Sequence, residues 1–219
     1  MEVNIFRNLS SSKVQSTTLE KIVEMIRTSH LLQEYTVTAR NYYSAGEKAQ
    51  GDRIKKNALP AFAPAGYLMG GKGRANLIGL TGMCFIDIDH IGRGAVDRCM
   101  TILLVDKNVL LVARSISGEG LHILVPYRIE RDDQFAPLPA DPHKQNKLYG
   151  AIFRLIAGQY GKKLEVPIDD SAMNAERLCL ISYDECAKYD PHAVPIVMRY
   201  EKLKRGCFRI GLEYPSVEE

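Results

Sequence analysis

Met83-Cys-Phe-Ile-Asp87-Ile-Asp89, followed by Val109-Leu-Leu-Val-Ala-Arg114, Ser115-Ile-Ser-Gly-Glu-Gly120 and Leu121-His-Ile-Leu-Val-Pro126, decides the fold. The first run is apolar, β-prone and preceded by the turn-forming Thr81-Gly82, so it reads as a core strand. Alternation along a strand places Cys84, Ile86 and Ile88 on one face, and Phe85, Asp87 and Asp89 on the other. Two neighbouring carboxylates on so apolar a strand are unfavourable unless a cation compensates them, and a divalent ion would do so. On this strand alone the plainer reading stays open, in which Asp89-His90 ends it in a surface turn.

The second run reads as a hairpin, two strands joined by a glycine-rich turn. Leu121, Ile123 and Val125 share one face and leave His122 on the other, at the mouth of the turn. Ser117-Gly118-Glu119-Gly120 can offer backbone N–H groups in a concave arrangement that suits phosphate oxygens. Taken alone, this could equally be an ordinary hairpin with a surface histidine. A two-aspartate strand, a helix-length segment and a Ser-Gly-x-Gly-x-His hairpin form a more specific combination than any part.

That combination resembles the first two motifs of the archaeo-eukaryotic primase, or primase-polymerase, superfamily. Within it the chain is similar to the VirE N-terminal-domain family, through Lys56-Asn-Ala-Leu59-Pro60 upstream and Arg177-Leu-Cys-Leu-Ile-Ser182-Tyr183-Asp184 downstream. The resemblance spans residues 50 to 195. It implies a metal-dependent nucleotidyltransferase, DNA primase/polymerase-like, in the replication of a bacterial mobile element or plasmid. The alternative it leaves is a catalytically inactive nucleotide- or DNA-binding module of the same fold. Asp169, eight positions before Arg177, has the spacing of a third acidic motif, so Asp87, Asp89 and Asp169 would hold two Mg2+ or Mn2+ ions, and no zinc.

In the same reading His122, Ser117, Gly118 and Gly120 hold the triphosphate, with Lys56 at the nucleotide or template phosphates and Lys55 as its register alternative. Arg177, and in second place Arg114, would neutralise charge on the nucleotide; each is otherwise a structural ion-pair partner. The implied partners are nucleoside triphosphates, single-stranded or primed DNA, and a helicase or other replication protein. One departure stands out: Gly120 occupies a place where the superfamily often has a small hydroxyl residue. A nuclease or nickase is the weaker reading, because there is no His-hydrophobe-His metal pair.

The rest of the chain fits a globular protein of 219 residues and 46% hydrophobic content. Five cysteines without a Cys-x-x-Cys pair argue for reduced thiols and a cytoplasmic setting, against a disulfide scaffold or structural zinc. No run approaches the roughly 18 apolar residues of a membrane span, and the N-terminus lacks a signal-peptide pattern, so no membrane partner is expected. The net charge of +3 is compatible with a polyanion ligand without demonstrating one.

A short strand is expected over 2–7, then a helix capped by Thr17 or Thr18 with Leu19, Ile22, Val23 and Ile26 as its apolar stripe. A second helix is predicted from Leu31 to about Ala49. Gly66 to Arg74 reads as a loop between short strands, from which Lys72 and Arg74 reach a nucleic-acid backbone; it lacks the Gly-Lys-Ser/Thr of a P-loop. Helices are predicted over 94–105 and 144–160, a proline-rich loop or insertion over 130–143, and strands over 177–181 and in the tail from Val194 to Arg209, which ends in a basic stretch. In the turn at Val166 to Ser171, Asp170 is read as the residue that caps local backbone. From Met83 the order is β-α-β-β-α-β, an α+β fold with an RRM/ferredoxin-like sheet. The expected organisation is an N-terminal α/β lobe at 1–80 packed against an RRM-like catalytic lobe at 81–219.

Overall fold

The computed structural model describes residues 1–130, 140–199 and 203. Most of the expected proline-rich insertion and the basic end of the tail lie outside the described residues. The elements in chain order are β1 (Glu2–Phe6), β2 (Gln15–Thr18), α1 (Leu19–Thr28), α2 (His30–Ser44), α3 (Lys48–Asn57), β3 (Ala61–Ala63), β4 (Gly66–Leu68), β5 (Leu77–Leu80), β6 (Met83–Ile88), α4 (Arg93–Leu104), β7 (Leu111–Arg114), β8 (Leu121–Glu130), α5 (Pro142–Leu164), β9 (Cys179–Leu180), β10 (Lys188–Tyr189) and β11 (Ile196–Arg199). The fold is mixed α+β, and its sheets are mainly antiparallel.

β8 organises the larger sheet. Its first half pairs antiparallel with β6 and with β7, its second half pairs parallel with β11, and β10 lies on β7. The strand-helix-strand-strand order from Met83 is therefore present, with the two-aspartate strand and the histidine strand adjacent. The last strand of the expected ferredoxin-like sheet is corrected. β9 does not join β6; it pairs with β3 and completes the sheet β2-β1-β3-β9. Phe62 faces Cys179 and Ala61 faces Leu180, so this apolar pair of residues finds its buried partner across from the N-terminal strands.

The edge of β6 is closed by other means. Tyr149 of α5, fully buried, accepts a hydrogen bond through its hydroxyl from Phe85 N at 3.1 Å, and Asp169 N donates to Asp87 O at 3.0 Å. Backbone groups buried at a strand edge need such partners. One comes from a helix, the other from a single residue after it.

Two local expectations also change. The single helix expected from Leu31 to Ala49 is two helices, because Gly46 adopts φ 78° after α2 and α3 begins at Lys48. Thr18 caps α1 through its side chain, and Leu19, Ile22, Val23 and Ile26 are buried as the stripe requires. Among the described residues no helix is long and apolar enough to cross a membrane.

Candidate metal and phosphate site

The β6–β8 register sets Asp87 directly opposite His122, and the β7–β8 register sets Ala113 on the other side of the same histidine. Cross-strand partners share a face. The Phe85 ring lies edge-on to the imidazole, with centroids 5.8 Å apart, so His122 is packed in place. Its Nε2 is 3.6 Å from Asp87 Oδ1, too long for a hydrogen bond. Asp87 Oδ1 is thus buried and without a hydrogen-bond partner among the described residues.

Asp89 follows β6 and is exposed, where the chain turns through His90 at φ 56° and Gly92 at φ 77°. Asp169 is brought alongside by its backbone bond to Asp87. Oxygens of Asp87, Asp89 and Asp169 all lie within 4.8 Å of one another. The expected triad is therefore assembled. Burial pushes the Asp87 carboxyl above the ordinary carboxylate range, and the Asp89 and Asp169 charges add to that, while His122 and Arg177 oppose it. For Asp169 burial works in the same direction, but the hydrogen bonds from Ser171 Oγ and Ser171 N, with Arg177, outweigh it and hold the carboxyl low. Asp169, not Asp170, is the residue that caps the turn at Asp170–Met173; Asp170 is exposed.

An orphaned buried oxygen beside two further carboxylates is the donor set a hard divalent cation requires. The residues present fit Mg2+ or Mn2+.

The glycine-rich turn sits on the end of β6. Ser115 N donates to Gly120 O, Gly118 N to Ser115 O, and Ile91 N to Glu119 O, with Gly118 at φ 75°. Gly120 is where a Cβ would stand 2.1 Å from Ile88 O. No hydroxyl residue fits at that position, which gives its glycine a physical reason. Ser117 Oγ accepts from Glu119 N at 3.2 Å and lies 3.1 Å from Ser115 Oγ.

Asp87, Asp89, His122, Ser117 and Arg177 line one cleft of about 870 Å³, within the range of small-molecule sites. Lys72 lines it too, though its Nζ also donates to Leu9 O. Six expected site residues are not on the cleft wall: Asp169, Gly118 and Gly120, each next in sequence or in contact with lining residues, and Lys56, Arg74 and Arg114, which stand apart. Lys55, the register alternative, lines the cleft, whereas exposed Lys56 does not. Arg74 is engaged by Glu176 at 3.3 Å and Asn174 at 3.1 Å and is not on the cleft wall. Arg114 is the structural ion-pair partner, held by Asp97 at 2.9 Å and Asp184 at 3.5 Å.

Sequence reasoning missed Lys48, Tyr43 and Asp52 on the cleft wall. Lys48, Asp52 and Lys55 follow the i, i+4, i+7 spacing of one helix face, a signal that appears only once α3 is seen to begin at Lys48.

A family model described as BT4734-like, N-terminal domain matches residues 54–189. No curated protein and no solved structure matches. The expected membership of the VirE N-terminal-domain family, and with it of the primase-polymerase superfamily, is corrected by that match. One of the motif positions that carried the resemblance answers to a local need: Gly120 to the approach of Ile88. Such motifs do not by themselves separate one family from another.

Proposed function

The chain belongs to the family of BT4734-like N-terminal domains, and for such a domain we propose, from the cleft, a metal-dependent nucleotidyltransferase that takes nucleoside triphosphates. The observation that carries this reading is the buried Oδ1 of Asp87, which has no hydrogen-bond partner among the described residues, within a three-carboxylate cluster. It is supported by the cations that share the cleft, Lys48, Lys55, Lys72 and Arg177. An acidic cluster ringed by lysines and an arginine suits a polyanion that arrives with its own divalent ions.

Asp87, Asp89 and Asp169 offer the metal-ligating oxygens. When bound, the ions supply Lewis-acid stabilisation of the reacting phosphate and make a sugar hydroxyl more acidic. The chain's other groups bind and orient. Ser117 Oγ and the free amides of its loop face the phosphate oxygens, His122 stands beside Asp87 as a further donor, and Arg177 neutralises charge on the nucleotide. DNA, single-stranded or primed, is the acceptor strand in this reading.

A second reading, a nucleotide- or DNA-binding module without catalysis, is favoured by Gly120, which offers no hydroxyl of its own and leaves side-chain hydroxyl contacts from the loop to Ser115 and Ser117. Extension of primed and unprimed single-stranded DNA with Mn2+ or Mg2+ separates the two. Metal-dependent product that disappears in Asp87→Asn/Asp89→Asn supports transfer. Metal-dependent nucleotide binding without product supports the module.

A further inference from the structure

Arg40 of α2 lies outside the cleft yet is bound to its glycine-rich wall. Its Nε donates to Ile116 O at 3.1 Å and its Nη2 to Ser115 O at 3.2 Å. The turn passes directly over it: a Cβ on Gly118 would lie 3.5 Å from Arg40 Nε. Among the described residues no carboxylate is in ion-pair contact with this guanidinium; Asp184 acts on it only through space and is itself spent on Arg114. One turn earlier on the same helix, Thr36 Oγ1 accepts from Tyr183 N at 3.0 Å, so α2 braces both segments that flank the cleft.

In a trans peptide the C=O and the following N–H point in opposite directions. With the carbonyls of Ser115 and Ile116 turned to Arg40, the N–H groups of Ile116 and Ser117 are turned away from it. Neither N–H has a hydrogen-bond partner among the described residues. Ser115, Ile116 and Ser117 all line the cleft, and Arg40 does not. The loop therefore stands between the guanidinium and the cleft. A half-buried cation satisfied by carbonyls alone is costly to place; its planar fork, which fixes two peptides at once, gives that cost a use.

We infer that Arg40 is a positioning residue that holds the Ile116 and Ser117 amides toward the cleft as an anion cradle for the nucleotide's phosphates. The inference rests on the nucleotidyl-transfer reading of the cleft and deepens it. Arg40 itself touches no substrate.

The test compares wild type, Arg40→Ala and Arg40→Lys. Mn2+ binding alone is followed by electron paramagnetic resonance, and dATP binding in saturating Mn2+ by calorimetry. Arg40→Ala is expected to weaken dATP about tenfold with Mn2+ binding unchanged, and millimolar guanidinium chloride is expected to restore part of the loss. Arg40→Lys, which keeps the charge but replaces the planar fork by a single ammonium nitrogen, falls between. If the alanine variant does not fold, the lysine variant decides by the same two titrations. Unchanged dATP binding in a folded variant overturns the inference, as does a loss of Mn2+ and dATP together that guanidinium does not rescue. A wild type that binds Mn2+ but no dATP overturns the cradle alone, whereas one that binds no Mn2+ overturns the reading of the cleft on which it rests.

Discussion

Gly120 and Ile88 approach so closely that a Cβ on the glycine would stand 2.1 Å from the isoleucine carbonyl oxygen, 3.1 Å from Ser115 Oγ and 3.2 Å from Asp89 Cα. The hairpin turn and the end of the aspartate strand are thus packed backbone to backbone, which is how the glycine-rich turn and two carboxylates of the acidic cluster come to border one cleft. Gly120→Ala must push them apart. A loss of about 1–3 kcal/mol is expected from such overpacking, read as a Tm lower by about 2–4 °C per kcal/mol, with weaker Mn2+ binding because Asp89 moves. An unchanged Tm would mean that the turn is looser than its geometry states.

Tyr149→Phe tests how the edge of β6 is closed. The variant removes the acceptor for Phe85 N inside a site from which water is excluded. Leaving that N–H unsatisfied costs about 1–3 kcal/mol. Thermal unfolding checks it, and a wild-type Tm would show that another group takes the bond.

Asp106 gives the acid dependence. It accepts from Lys163 Nζ at 2.7 Å, Asn108 N at 2.9 Å and Tyr160 Oη at 3.0 Å. Burial alone would raise its carboxyl, but these donors outweigh it and hold it below the ordinary range. A carboxyl depressed in the folded state contributes stability above its unfolded pKa of about 3.9, and that stability is lost as pH falls through the folded value. Asp106→Asn is therefore expected to lower Tm at pH 7, with the difference shrinking only once pH drops below about 4 and vanishing below the depressed folded value. A difference independent of pH would contradict this.

Lys55 and Lys56 are neighbours in the sequence, and only the first lines the cleft. Lys55→Ala should weaken dATP binding about threefold at low ionic strength, an effect screened at about 0.5 M salt. Lys56→Ala should leave it within error. Equal effects would place both lysines, or neither, against the ligand.

The aspartate strand and the histidine hairpin were legible because strand alternation is a local rule, and Asp87 and His122 follow it across one register, while Asp89 falls just past the strand where the chain turns. β9 was not, since two residues carry no period and its partner β3 lies far back in the chain. The choice between Lys55 and Lys56 depended on where α3 begins, which Gly46 sets through a positive φ. Arg40 left no motif at all, because what it binds are main-chain carbonyls, and these look alike in every sequence. The family resemblance misled for a related reason: short motifs shaped by packing recur wherever the packing does.

Asp87, Asp89 and Asp169 are proposed to hold a divalent cation, and direct Mn2+ titration followed by electron paramagnetic resonance tests this. Wild type is expected to bind Mn2+ saturably, in competition with Mg2+. Binding should be lost in Asp87→Asn and Asp169→Asn and kept in Asp170→Asn, whose side chain is exposed outside the cluster. Mn2+ binding that survives unchanged in Asp87→Asn, or is absent from folded wild type, would overturn the assignment of these carboxylates as a cation site.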